Sequence, residues 1–500
     1  MSQRQSLVRK VIYVVIIIAL LIPLSILSQP ATRSTSGGLL ARLRDENRLS
    51  QANLGEIDPT SEAMKLATLG MRGPAAYLLW QKAWDYKKKE NWTGLTAVLE
   101  QITHLQPNYE SVWDFQSWNL SYNISVEFDD YRDRYYWVIR GIDFLKKGTV
   151  YNEDSPALLN RMGWMISQKI GRSDEHVQFR QLFREDDKFN AGVPVALRDN
   201  WLVGKGWYQK GIDVVDAGRP LGKKSPLLYF TYPAKCQMSY AEALESEGTF
   251  GETAREEWRR GGEEWAAYGA RDIPTSFGTT IRLNDLETTR EAADELQAEF
   301  DAATEGIRDE ILEEKLAKLT EAQQDAVRTP YEQRNAEQRQ IAMEVGEQAD
   351  VSNEEIAERV PEDQRERVKQ LAEQLTEMSQ RAGQISGYRM TVNFDYWRDR
   401  CAAEQTEDAS IAREQIYEGN AAFEEAEFEV AREKYEEGMR RWRAVMDASP
   451  TLAEDNITAE DLVEVIKRYR RILKQLDEPV PDDFVLADFW EVHKPDDYEE

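Results

Sequence analysis

The chain has 500 residues, of which 41% are hydrophobic, so it is long enough for about two to four domains with a sizeable core. Its 63 Lys and Arg residues against 91 Asp and Glu residues give a formal net charge of −28, which argues against nucleic acid and anionic lipid as partners. The two cysteines, Cys236 and Cys401, are too few for a zinc site or a disulfide framework. They form either one bridge or two buried thiols.

The first 28 residues have the pattern of a membrane anchor. Residues 1–10 carry three basic side chains, and residues 11–28 follow without a single charge. Eighteen residues of helix span about 27 Å, which is just enough for the hydrocarbon core of a bilayer. We therefore expect an uncleaved signal anchor in the inner (cytoplasmic) membrane, with residues 1–10 in the cytoplasm and the bulk of the chain on the periplasmic side. A cleaved signal peptide is the alternative.

A polar linker and a helical region come next. Residues 29–60 contain scattered prolines and glycines, and residues 61–283 then show helical periodicity. Within them, residues 191–222 are glycine-rich and irregular around a helix that we expect at Asp199–Asp216. The 14 tryptophans and 21 tyrosines of the chain are expected to serve mainly as packing anchors between helices.

The strongest repeat signal is a helical sequence that occurs twice, at Ala254–Pro274 and at Ala431–Pro450. Each copy places two small residues and two rings along one helical face. The small residues let a partner helix approach, and the rings fill the groove beside them. The structural repeat positions are Ala254, Trp258, Gly261 and Trp265 in the first copy and Ala431, Tyr435, Gly438 and Trp442 in the second.

This spacing resembles the A-x3-F half of the tetratricopeptide signature, with an exchanged aromatic residue. Gly419 matches the glycine of the W-x2-L-G-x2-Y half, but Ala422 stands where the tyrosine is expected. Through these motifs, Ser61–Tyr268 and Thr391–Pro450 resemble the degenerate tetratricopeptide-like domains of single-pass bacterial envelope proteins. The resemblance implies a scaffold that binds peptides or partner proteins and catalyses no reaction.

Residues 284–386 differ in composition from the rest of the chain. Asn284–Ile385 contain 12 Lys and Arg against 27 Asp and Glu, a net charge of −15, and no tryptophan. The apolar residues of a heptad seam recur at Val368, Leu371, Leu375 and Met378. We expect long, exposed, acidic, coiled-coil-like helices, inserted between repeats and folding back as a hairpin. The alternative is an arm that docks on a partner or associates with a second copy of the chain.

Residues 387–476 again have the aromatic, repeat-like composition seen before residue 284. Thr391–Cys401 echoes Ser125–Arg134 through a shared Arg-Asp-Arg triplet, which we expect to form ion pairs between stacked helices. The last helix, expected at Ala459–Leu476, is basic. The tail, residues 477–500, is acidic and aromatic, and we expect it to dock on the array itself or in a partner's groove.

No catalytic, cofactor-binding or metal-binding motif is predicted. Gly218–Ser225 has three residues between its glycines where a phosphate loop needs four. The histidines have no metal-binding spacing: His104, His176 and His493. A cluster of carboxylates near rings could act on a glycan, but its flanking arginines favour ion pairing: Glu127, Asp129, Asp130 and Asp133.

The sequence therefore predicts an all-α chain. Its expected architecture is a helix-turn-helix (TPR-like) repeat array with an inserted long acidic coiled-coil-like segment and an N-terminal transmembrane helix. The expected function is that of a non-catalytic, membrane-anchored scaffold for protein–protein interaction in the cell envelope, with an unidentified protein partner and no cofactor. The alternatives are an enzyme acting on glycan or peptidoglycan, and a structural spacer that self-associates through residues 284–386.

Overall fold

The computed structural model describes residues 72–453 and 456–495, Tyr498, and eight isolated positions between residues 12 and 43. Within that part of the chain, no helix is both long enough and apolar enough to cross a lipid bilayer. The predicted anchor (residues 11–28) and linker (residues 29–60) lie outside the described residues except at those isolated positions.

The fold is all-α, as the sequence predicts. The described residues contain one small antiparallel hairpin, in which β1 (Ile273–Pro274) pairs with β2 (Thr280–Ile281) and Ile273 lies opposite Ile281. The chain divides into two compact units, a first unit that ends at Lys224 and a second unit that begins at Ser225. The second unit includes the whole acidic segment.

The described part of the first unit consists of seven α-helices and short helical turns. They are α1 (Arg72–Lys88), α2 (Trp92–Leu105), α3 (Glu110–Trp118), α4 (Tyr131–Tyr151), α5 (Pro156–Trp164), α6 (His176–Glu185) and α7 (Asn200–Asp216). The pairs with the closest packing are α1 with α2, α3 with α4, and α5 with α7. Two helices continue directly into π-helical turns, α3 into Asn119–Ile124 and α5 into Met165–Lys169. Short 3-10 turns follow at Ser125–Glu127 and Val195–Leu197.

Polar caps determine where several of these helices begin. The Ser155 hydroxyl accepts a hydrogen bond from the backbone N–H of Leu158, and Pro156 occupies the first turn of α5. The Asp199 side chain accepts from the N–H of Trp201 and so caps α7. The helix expected at Asp199–Asp216 is therefore present, with its first predicted residue serving as the cap.

The second unit begins with a short helix, a helical pair and the β-hairpin. The helices are α8 (Pro226–Tyr229), α9 (Tyr232–Ser246) and α10 (Glu252–Gly269). The 3-10 turn Leu283–Asp285 then leads into the acidic segment.

The acidic segment folds back on itself, but it consists of six helices, and only the first and the last of them are long. Its helices are α11 (Leu286–Ala303), α12 (Ile307–Leu316), α13 (Glu321–Arg328), α14 (Ala336–Ala349), α15 (Asn353–Arg359) and α16 (Glu362–Val392), with a 3-10 turn at Tyr331–Gln333. The long helix α16 packs along α11. Val368, Leu371 and Leu375 of the predicted seam are buried in a core that also contains Phe300, whereas Met378 is half-buried. The seam is thus covered by the chain itself.

The remaining helices of the second unit are α17 (Phe394–Glu404), α18 (Glu407–Glu424), α19 (Phe428–Ala448), α20 (Pro450–Ala453), α21 (Asn456–Gln475) and α22 (Ala487–His493). Helix α17 packs on α10. This contact joins the part of the chain before the acidic segment to the part after it. Helix α18 pairs with α19, and α21 packs on α19. The tail docks on this layer, because Leu486, Phe489 and Trp490 are buried in the same core as Trp442.

Candidate functional site

The structure places all eight structural repeat positions in the interior, on α10 and α19. A Cβ atom added at Gly438 would lie 2.9 Å from the Ile416 side chain of α18, so only glycine permits this approach. On α10, the Trp265 indole Nε1 donates a hydrogen bond to the Phe394 carbonyl oxygen at 2.9 Å. These positions therefore build contacts between helices, and they do not face solvent.

Buried and half-buried charged residues lie beside both copies of the repeated sequence, in a group that we call the ion cluster: Glu242, Glu245, Arg400, Glu404 and Arg413. The Arg400 guanidinium lies 2.7 Å from the Glu242 carboxylate and 3.6 Å from that of Glu404. The Arg413 guanidinium lies 2.5 Å from the Glu404 carboxylate. Side chains from α9, α17 and α18 thus meet in one network.

Repeat rings flank the ion cluster on two sides. The Arg400 guanidinium lies 5.3 Å from the Trp258 ring centroid, and the Arg413 guanidinium lies 4.8 Å from that of Trp442. Each arginine is therefore held by carboxylates and by an aromatic face together.

The electrostatics of the ion cluster leave one carboxyl group protonated. Burial, followed by the nearby Glu404 carboxylate, raises the pKa of Glu245 to about 8. Burial opposes ionisation of Glu404 as well, but Arg413 and Arg400 hold its pKa below the ordinary value. Burial and the neighbouring carboxylates of Glu404 and Glu242 therefore favour the protonated form of Glu245, against the opposing effect of Arg413.

Both cysteines are buried thiols and no disulfide joins them, which decides between the two alternatives left open by the sequence. Burial raises the pKa of Cys401 to about 12. A thiol of that kind is almost wholly protonated at neutral pH and is therefore a poor nucleophile.

The two Arg-Asp-Arg segments use their last arginine in the same way. Arg134 pairs with Glu175 at the start of α6, and Arg400 pairs with Glu242 of α9. Both are bonds between neighbouring helices, as the sequence predicts.

The carboxylates proposed for the enzyme alternative lie near the start of α4 and are exposed: Glu127, Asp129, Asp130 and Asp133. The Asp130 side chain accepts a hydrogen bond from the Arg132 N–H at 2.7 Å and so caps α4. This arrangement serves the start of helix α4.

The other residues that the sequence offers as candidates for a site make contacts within the fold. In Gly218–Ser225, Arg219 pairs with Asp154 at 2.5 Å, and Lys224 donates to the Asn160 side chain at 3.1 Å. The His493 ring packs 4.4 Å from Phe489. Across the described residues, no group of three or more His, Cys, Asp or Glu side chains is arranged to hold a metal ion.

A row of five partly buried rings crosses the first unit. Successive ring centroids in the row lie 5.8, 6.4, 6.0 and 5.9 Å apart, so neighbouring rings are in contact. We call these residues the ring row: Trp80, Phe115, Trp118, Tyr122 and Trp164. They belong to α1, to α3 with its π-helical turn, and to α5, which are the first helices of three successive pairs. The ring row therefore runs from one helix pair to the next.

Cations border the ring row. The Lys169 ammonium lies 4.3 Å from the Tyr122 ring centroid, and the Arg161 guanidinium lies 5.2 Å from that of Trp164. Arg161 is also paired with Asp114 at 2.5 Å. Burial lowers the pKa of Lys169, which shows that this cation has lost part of its hydration.

Both π-helical turns found among the described residues of the first unit lie at the ring row. One carries Tyr122, and the other begins directly after Trp164 and ends at Lys169. A π-helical turn inserts an extra residue into a helix and re-aims the side chains around it, and such turns are frequent at functional sites. The ring row is thus the best candidate for a binding surface.

The sequence carries one signal for the ring row. Phe115, Trp118 and Tyr122 are spaced by three and four residues and so share a helical face. The same spacing is expected of packing anchors, and only the positions of α1 and α5 show that this face stays partly open.

The chain has no match among family models, curated proteins or solved structures. Any function assigned to it therefore rests on the geometry of its own residues.

Proposed function

We propose that this protein is a non-catalytic, membrane-anchored scaffold of the bacterial cell envelope, and that the ring row binds a partner protein. In this proposal the helix pairs are tetratricopeptide-like repeats. The ring row is the observation that carries the proposal. Its rings lie on the first helix of each of three helix pairs. In arrays of stacked helix pairs, a face formed by successive pairs is an extended binding surface.

The chemistry of the ring row suits a protein partner. Trp, Tyr and Arg dominate the binding energy of protein interfaces, because they bury a large area and keep a polar group for orientation. Trp118, Tyr122 and Arg161 provide this combination within a short distance. Their contacts with one another hold the rings in place, so binding would order few additional side chains.

Site-specific photo-crosslinking in native membranes tests the proposal. A photoreactive phenylalanine analogue is placed singly at Trp118 and Tyr122, and as matched controls at Phe277 and Tyr331, which are 72% and 70% exposed in the second unit. We expect the two ring-row positions to crosslink the same protein and the two controls to leave it unlabelled. A Trp118→Ala variant that still melts cooperatively should lose the crosslink at Tyr122.

Equal labelling from control positions, or no reproducible partner from either ring-row position, would contradict the proposal. The enzyme alternative has a separate test. It would gain support if a chain with alanine at Asp129, Asp130 and Asp133 lost its cellular function while its melting temperature stayed unchanged.

A further inference from the structure

A cleft of about 1110 Å³ lies between α21 and the tail. This volume lies at the upper end of the range for ligand pockets in proteins. The helical wall of the cleft carries four cations on one face, since they recur every three or four residues along α21: Lys467, Arg470, Arg471 and Lys474.

The acidic residues that line the cleft do not neutralise these cations. Three of the four are paired with cations outside the cleft: Glu478 with Arg432 at 2.7 Å, Asp488 with Arg443 at 2.7 Å, and Glu491 with Lys494 at 2.8 Å. Arg471 and Lys474 are exposed and form no ion pair with any residue that the structure describes. The α21 wall of the cleft therefore keeps two exposed cations that form no described ion pair, in a chain whose net charge is −28.

Aromatic side chains complete the cleft. The Arg470 guanidinium lies 5.3 Å from the Trp490 ring centroid and 5.8 Å from that of Tyr498. The Tyr498 ring meets Trp490 edge-on at 4.9 Å. In the sequence, Tyr498 follows Asp497 and precedes Glu499. The chain thus brings a ring from an acidic stretch of its own sequence into a cleft with a basic wall.

We propose that this cleft binds an extended acidic peptide segment of a partner protein, with one aromatic residue of that segment in the place that Tyr498 occupies in the free chain. The cations of α21 pair with the carboxylates of the peptide, and its ring packs against Trp490. Tyr498 competes for the same place. The site is separate from the ring row and does not depend on the function proposed for it.

Fluorescence anisotropy with the full chain in mild detergent tests this proposal. The probe is a short fluorescein-labelled peptide of Asp and Glu residues around one tyrosine, and the neutral probe carries Asn and Gln instead. We expect saturable binding of the acidic probe, weakening with added salt, and no binding of the neutral probe. Reversing two exposed cations in an Arg471→Glu, Lys474→Glu chain should weaken binding by about tenfold or more. The Tyr498→Ala chain should bind several-fold more tightly.

The matched control is an Arg367→Glu, Lys369→Glu chain, which reverses two exposed cations on α16 and should bind as the unchanged protein does. Equal weakening in this control, or equal binding of the neutral probe, would overturn the proposal. Weaker binding by Tyr498→Ala would overturn the competition by the tail. If inorganic phosphate displaced the peptide fully, or if the α21 reversal split a dimer seen by light scattering, the occupant would be a small anion or a second copy.

Discussion

At the scale of single residues, the ion cluster is the least expected feature of the molecule. Taking charges out of water is unfavourable, and such groups persist in a fold when each has an opposite charge and hydrogen bonds. Arg400 and Arg413 provide these for Glu242 and Glu404. Glu245 forms no ion pair with either arginine, and its burial favours the protonated form.

The proton on Glu245 makes stability depend on pH in a defined direction. The folded chain holds this proton up to about pH 8, whereas the unfolded chain releases it near the ordinary value of 4.5. Between these values the folded state binds more protons, so a rise in pH lowers the free energy of unfolding. A Glu245→Gln chain lacks this loss, so its stability relative to the unchanged protein should rise by on the order of 3 kcal/mol between mildly acidic and mildly alkaline pH.

Urea denaturation of both chains at a series of pH values measures this difference. The matched control is Glu252→Gln on α10, whose carboxylate is 86% exposed. The difference in the free energy of unfolding between Glu252→Gln and the unchanged protein should stay nearly constant over this pH range. Parallel stability curves for Glu245→Gln and the unchanged protein would show that Glu245 is ionised in the folded state.

At the scale of helices, small residues determine how closely the pairs pack. Gly419 of α18 lies under the Tyr435 ring of α19, where an added Cβ would come within 2.9 Å of the ring. A Cβ added at Gly163 of α5 would likewise come within 2.7 Å of the Tyr208 ring of α7. Interiors are packed too densely to absorb an extra methyl group at such a point.

A Gly163→Ala substitution should therefore destabilise the chain by about 1–3 kcal/mol, because the Tyr208 ring or the helix must move. Gly206 is the matched control, since it lies in the middle of α7 and a Cβ there would meet nothing within 4 Å. Gly206→Ala should stabilise the chain by about 0.5–1 kcal/mol through the higher helix propensity of alanine. Chemical denaturation followed by circular dichroism gives both values. A neutral or stabilising Gly163→Ala would mean that α5 and α7 pack less closely.

At the scale of the whole molecule, the acidic excess is concentrated in the α11–α16 segment, and its apolar seam is buried within that segment. Self-association through the heptad seam would require this hairpin to open. The membrane anchor that the sequence predicts at residues 11–28 does not involve this segment.

Removing residues 1–28 should move the chain from the membrane pellet to the supernatant after cell lysis, because the apolar segment is the expected attachment. A chain with residues 290–300 deleted should stay in the pellet, which controls for loss of fold. Sedimentation followed by immunoblotting measures how each of the two shortened chains divides between pellet and supernatant. If the chain without residues 1–28 remained in the pellet in high salt, attachment through another surface would replace the anchor.

The sequence by itself determined the helical class, the segment that folds back and the inward face of each repeated helix. These depend on interactions between residues three or four apart, such as the approach of Ala431, Tyr435 and Gly438 along one face. The tertiary structure alone decided that Glu245 meets Glu404, that the ring row stays half-open, and that the acids opposite α21 pair outside the cleft. Exposure and pKa depend on charges and rings that are distant in sequence, and no local spacing encodes them.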